Sequence, residues 1–350
     1  MSVLKEKILR RIANEGPITV AQYMEMALYD PEHGYYMKGD PFGAKGDFIT
    51  APEVSQIFGE LIGLWFVQAR EDRGRPNPFN FVELGPGRGT LMADMLRAAK
   101  VRPQFLEAAK VVLVETSPAL RTIQQQTLKG VEIRWCAELP NDAPLFLVAN
   151  EFLDALPINQ FVKTEDGWHE RMIAAKNDNL VFEVSKKAVD HQPGEAPIGA
   201  IFEQSAAAAA IVGDVARRIA KSGGAALFID YGHEQSGFGD TLQAVRVHKH
   251  ADPLADPGNA DLTAHVDFGA VARCARQAGA KTFGLLPQST FLRALGIEAR
   301  ATKLKEAADA EARQAVDQAV ERLTFPSQMG SLFKVMAVAS SGIASLPAFA

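Results

Sequence analysis

The residues of this chain that could do chemistry are three closely spaced glycines and a set of acids standing where apolar segments end. The glycines lie in Glu83-Leu84-Gly85-Pro86-Gly87-Arg88-Gly89. Glycine lets backbone approach a ligand where a side chain would collide with it, and a helix starting there adds N–H donors and positive partial charge. The spacing Gly85-x-Gly87-x-Gly89 departs from the GxGxxG of dinucleotide sites. Glu83, two residues before the first glycine, can meet an ammonium group, whereas beside a pyrophosphate it would repel. Both features point to S-adenosylmethionine, which carries an amino-acid moiety and no phosphate. A tight strand-to-helix turn without a ligand is the competing reading.

Glu115 ends the next apolar strand, where an acid accepts hydrogen bonds from a ribose diol; a solvated strand-end carboxylate is the plainer alternative. After the third strand comes Cys136-Ala137-Glu138-Leu139-Pro140, the place where class I methyltransferases hold adenine. Many of those enzymes have Asp where this chain has Cys136, which leaves Glu138 or the Ala137 backbone for that part, unless Glu138 is surface charge. The fourth strand runs into Asn150-Glu151-Phe152-Leu153-Asp154-Ala155-Leu156-Pro157. If this segment begins a helix or tight turn, Glu151 and Asp154 point roughly together. Paired carboxylates can grip a guanidinium and localise its charge on one nitrogen. The bland reading makes Asp154 a helix cap and Glu151 a strand-end charge.

These residues need a doubly wound α/β scaffold, and the chain patterns as one. Apolar strands are expected at Phe79–Leu84, Lys110–Glu115, Val131–Cys136, Leu145–Ala149 and Ala225–Ile229, alternating with helices such as Thr90–Lys100. Ser117-Pro118 reads as an N-cap with Pro at the first helical position. Residues 1–75 read as a helical N-terminal or lid region, with Thr19 and Gln22 forming a capping box and one helix from Pro52 to Val67. Residues 76–340 form the cofactor-binding domain, interrupted at about 158–190 by hairpins around Glu165-Asp166-Gly167 and Asn177-Asp178. The expected fold is therefore a class I methyltransferase: a doubly wound, mostly parallel sheet with a helical N-terminal region and a β-hairpin insertion.

Bulk properties narrow the function. A net charge of -5 argues against general attraction to nucleic acid. No apolar run approaches the ~20 residues that span a bilayer, and no secretory segment opens the chain. Cys136 and Cys274 are far apart, with no CxxC, so they offer neither a disulfide framework nor a zinc site. His248-x-His250 lacks an acid or cysteine at ligand spacing, and no metal is expected. These features fit a cytoplasmic protein.

Taken together, NEFLDALP, ELGPGRGTL, GDFITAPEVSQIFGELIG, DLTAHVDF and MGSLFKVM resemble the MidA family, from about Glu15 to Val338. Mitochondrial members of that family assist assembly of respiratory complex I. The resemblance implies symmetric dimethylation of an arginine in the quinone-module (49-kDa, NuoD-like) subunit of complex I, a protein partner. It carries Glu83, Gly85, Gly87, Gly89 and Glu115 onto the cofactor site, and Asn150, Glu151 and Asp154 onto the acceptor side. It also implies a bacterial copy or, without a presequence, a processed mitochondrial-matrix one. Asp47, in the GDFIT block, is a candidate near the reacting groups if that block forms a lid; a loop leading into a helix is the alternative. His233, after the fifth strand, is a candidate for taking the proton lost on methylation, against a structural role. His265, in DLTAHVDF, reads as part of a loop that leads into a helix.

Three rivals stand beside this reading. A nicotinamide dehydrogenase fails on the glycine spacing. A non-catalytic assembly chaperone that retains the fold would have little reason to keep Glu83, Glu115, Glu151 and Asp154 together. A methyltransferase acting on a small molecule or RNA is the third; RNA is disfavoured by the acidic balance and by the absence of an NPPY-type turn.

Overall fold

Phe79–Leu84 and Leu145–Asn150 are apolar for most of their length and buried at every position, as strands are when helices cover both faces of a parallel sheet. They form the centre of the sheet in this computed structural model, which describes residues 2–38, 49–190, 193–246 and 249–349. Numbered along the chain, the seven strands on the main path of this sheet are β1 (Phe79–Leu84), β2 (Ala109–Val114), β3 (Ile133–Cys136), β4 (Leu145–Asn150), β5 (Gly224–His233), β6 (Ala280–Pro287) and β7 (Phe333–Ser340). Their order is β6-β7-β5-β4-β1-β2-β3. The pairings of β1 with β2 and β4, of β2 with β3 and of β4 with β5 are parallel, whereas β7 lies antiparallel between β5 and β6. The winding reverses between β1 and β4, so their carboxyl ends flank the switch point where α/β sheets bind ligands.

Three helices position that edge: α1 (Gln56–Glu71), α2 (Thr90–Ala99) and α3 (Pro118–Thr127). Helices α1 and α2 meet through two glycines one turn apart. A Cβ on Gly63 would stand 2.6 Å from the Met95 carbonyl oxygen, and one on Gly59 would stand 2.5 Å from Asp94 Cβ. Beneath them Phe66, Phe79, Phe81, Phe105 and Phe146 interlock with ring centroids 4.9–5.3 Å apart along the chain of contacts. Helix α3 begins as expected, with Ser117 Oγ accepting the Leu120 N–H and Pro118 in the first turn.

The chain divides into two compact units. One comprises residues 49–153, 211–234 and 268–350 and contains this sheet; the other comprises 1–48, 154–210 and 235–267. In the second unit the stripe Leu4, Ile8 and Ile12 on the helix Val3–Glu15, with Tyr23, Met24 and Leu28 on Val20–Tyr29, shares a core with Ile173 and Leu180. The Thr19/Gln22 capping box is present. The expected hairpins are the antiparallel strands Asn159–Thr164, Gly167–Lys176 and Asn179–Ala188. Asn177 and Asp178 turn the second hairpin at φ 49° and 59°, the signature of a tight two-residue turn.

Residues 49–75 group with the sheet, because α1 is fitted to α2, while Leu4 to Tyr36 share their core with Ile173 and Leu180 of the hairpins. Two assignments differ from expectation. The single helix from Pro52 to Val67 is two, Ala51–Val54 and α1, since Ser55 is extended (φ -163°) and caps α1 through the Ile57 N–H. Asp261–Thr263 and Val266–Asp267 are strands rather than a loop, and the His265 N–H is held by Thr241 Oγ1 at 2.9 Å.

Candidate functional site

The glycine turn links β1 to α2. Gly85, Gly87 and Gly89 all have positive φ, at 58°, 51° and 81°, a region L side chains rarely enter. A Cβ on Gly85 would stand 2.6 Å from the Phe152 ring. The Gly85 N–H donates to the Val114 carbonyl at 3.2 Å, and the Pro86 carbonyl accepts the Gly89 N–H at 2.7 Å, closing the turn. Gly89 then begins α2 without a side-chain cap. Glu83, the penultimate residue of β1, has its carboxyl buried beside this turn. Burial holds that carboxyl well above the usual range, and the Met92 backbone only partly opposes it. Glu83 Oε2 has no hydrogen-bond partner, and neither has Asn150 Oδ1 at the end of neighbouring β4.

Beyond β2, Glu115 folds back on its own chain. Its Oε1 accepts the Thr116 and Ser117 N–H groups at 2.8 Å each, and its Oε2 accepts Gln124 Nε2 at 3.2 Å. Burial raises this carboxyl too, against the Ser117 N–H and the Gln124 amide. Gln124 also donates to the Gly87 carbonyl at 2.8 Å. Ala137 and Glu138 lie exposed on the bend after β3, and the Cys136 carbonyl accepts the Glu115 N–H at 3.2 Å.

At the end of β4, Glu151 sits in the left-handed region at φ 50°, uncommon for a non-glycine residue. Its Oε1 accepts the Ala51 N–H at 2.7 Å and the Asn150 amide at 3.0 Å. Asp230, on β5, braces the same loop: Oδ2 accepts the Phe152 and Leu153 N–H groups at 3.1 and 2.9 Å. Glu53 ties the segment after Thr50 to the glycine turn, accepting Thr90 Oγ1 at 2.5 Å and Arg88 Nη1 at 3.5 Å. Residues 151–156 form bends and turns rather than a helix. Asp154, expected beside Glu151, is assigned to the other unit. There it is buried, and its carbonyl accepts the Ala264 N–H at 2.9 Å. His233 is the last residue of β5, partly exposed. Asp47 and His248 lie outside the described residues.

Gln124 carries no motif of its own, whereas Glu53 lies in the GDFITAPEVSQIFGELIG block and Asp230 directly precedes Tyr231-Gly232-His233, neither of them assigned a role there. A buried polar position on an amphipathic helix, as at Gln124, was the only signal available for the first. Asp230 and Glu53 show their part only through the loops they hold.

A reversed-winding sheet with its last strand antiparallel, a glycine turn after β1 and an acid after β2 defines a class I methyltransferase. The match of residues 61–286 to the model of an S-adenosyl-L-methionine-dependent methyltransferase family places the chain in that family. The resemblance to the MidA family is borne out. The chain is 38% identical to the human mitochondrial protein arginine methyltransferase NDUFAF7, over 95% of this chain and 82% of that one. It is 37% identical to the Drosophila melanogaster homologue, over 96% and 84%. A crystal structure from Burkholderia thailandensis with bound S-adenosyl-homocysteine superposes with a TM-score of 0.87 at 30% identity, covering 99% of this chain and 94% of that one. The chain is a methyltransferase, and its cofactor is S-adenosylmethionine. The residues present fit that molecule: Gly85, Gly87 and Gly89 hold the turn in backbone conformations that L side chains rarely adopt, and Glu83 Oε2 is a buried acceptor without a hydrogen-bond partner, the kind of group that would suit an ammonium. No helix among the described residues is long and apolar enough to cross a membrane.

Proposed function

We propose that this methyltransferase acts on an arginine side chain of a protein, and that its product is a symmetrically dimethylated arginine in the quinone-module subunit of respiratory complex I. Support for arginine comes from the relatives named as protein arginine methyltransferases; support for the complex I subunit comes from the MidA resemblance. The observation that carries the chemistry is Glu151, an acid in a left-handed conformation at the carboxyl end of β4, with one oxygen fixed by Ala51 and Asn150. A residue held in such a conformation by its surroundings is a common mark of a functional position.

S-adenosylmethionine, when bound, supplies an electrophilic methyl group. The glycine turn, with Pro86 closing it, would bring backbone close to the cofactor; Glu83 would take its ammonium group, Glu115 its ribose, and Ala137 with Glu138 would flank its adenine. Glu151 would grip the guanidinium and draw its positive charge away from the attacking nitrogen, so that positioning supplies much of the rate. Asn150 orients Glu151 through its amide. Asp154 is the second acid of the acceptor side on sequence spacing, and Asp47 a further candidate. His233 is the candidate for the proton that leaves the methylated nitrogen.

Methyl transfer to the isolated quinone-module subunit tests this reading. Glu151→Gln is expected to slow transfer by about a hundredfold or more while calorimetric affinity for S-adenosylhomocysteine changes by less than about threefold. A fully active variant would remove Glu151 from the acceptor site.

A further inference from the structure

Gln124 lies within α3 with none of its surface exposed, and a buried amide must satisfy both its ends. The Trp135 indole on β3 can only donate, and it reaches Gln124 Oε1 at 2.9 Å. That contact settles which end of the amide is oxygen. The Nε2 end therefore faces Gly87 and Glu115, and its two hydrogens meet two acceptors: the Gly87 carbonyl at 2.8 Å and Glu115 Oε2 at 3.2 Å. Glu115 Oε1 is already engaged by two backbone N–H groups, so the setting of Oε2 falls to Gln124. Gly87 and Glu115 stand on separate loops, after β1 and β2, and one side chain spans both.

We propose that Gln124 is a positioning residue for the cofactor, holding the Glu115 carboxylate in register with the glycine turn so that the acid is aimed at the ribose hydroxyls. The proposal rests on the reading of Glu115 as the ribose acid. Small errors in such an arrangement are costly, because the groups that meet a ligand must be held by neighbours whose own positions are locked.

The test is a ligand-by-variant cycle on the full chain, using calorimetric affinities for S-adenosylhomocysteine and its 2′,3′-dideoxy analogue. Gln124→Met keeps length and bulk but removes the amide. It is expected to weaken S-adenosylhomocysteine about tenfold and the dideoxy analogue by less than about threefold, erasing most of the preference for the hydroxylated ligand. Glu115→Gln should erase it too. Equal weakening of both ligands by Gln124→Met would mean general packing and would overturn the proposal. If Glu115→Gln kept the preference, Glu115 would not read the ribose, and the proposal would fall with that reading. If Glu115→Gln lost the preference and Gln124→Met kept it, the positioning role alone would fail. Trp135→Phe, which releases the amide to rotate while leaving both acceptors in place, provides a second arm should Gln124→Met not fold. It is expected to show a selective loss of the same kind, and an unchanged preference there would also overturn the proposal.

Discussion

At the end of β1, Glu83 is buried, and its Oε2 is without a hydrogen-bond partner. Burial raises its folded pKa above the ordinary value of 4.5. The stability it contributes is therefore full below that value and is lost as pH rises through the folded pKa. An ammonium ion at Oε2 would reverse this by favouring the charged form. Glu83→Gln separates the two effects, since glutamine keeps the size and an acceptor oxygen and removes the charge. The ligand-free variant should melt higher than the native chain at pH 8, with the gap closing below about pH 4.5, while its affinity for S-adenosylhomocysteine falls about tenfold. Matching thermal melts across pH with calorimetry checks both signs; unchanged affinity would take Glu83 out of the cofactor site. The glycine turn was legible in the sequence because the backbone conformation at Gly85, Gly87 and Gly89 favours glycine. Glu151's left-handed backbone was not, since nothing in its side chain requires it.

At the scale of elements, the cofactor turn depends on where α2 starts, and α2 is set by α1. Gly59 and Gly63 bring the two helices together, and between them Glu60 receives Arg97 at 3.1 Å and Arg300 at 2.7 Å. Gly63→Ala would place a methyl 2.6 Å from the Met95 carbonyl oxygen, which forces the helices apart. Overpacking of this kind is expected to cost about 1–3 kcal/mol, measurable by denaturant melts, and to weaken cofactor binding because α2 carries the turn. A variant as stable as the native chain would show that this close approach is not needed. The parallel strands were readable from continuous apolar runs, a direct consequence of burial on both faces. The break at Ser55 was hidden because Ala51–Val54 and α1 are apolar on both sides of it, and β6 and β7 owe their antiparallel order to a long-range pairing that local pattern does not encode.

Across the whole molecule, each unit is assembled from three separated stretches of chain. Such interleaving leaves little trace in sequence: Ile18 and Thr19 pair with Ile173 and Met172, more than a hundred residues away, and no composition change marks the exchange. The doubly wound core was legible because β1 to β5 each signal themselves as apolar runs, whereas β6 and β7 were not read as strands. The hairpins were legible through their turns, but their association with the N-terminal helices was not. The substrate is a property of the whole molecule too, and it rests on kinship rather than on a side chain. The most direct test is mass spectrometry of the complex I quinone-module subunit from cells with and without this protein. One arginine should carry two methyl groups, one on each terminal nitrogen, only when the protein is present. The same arginine modification in both samples would contradict the account.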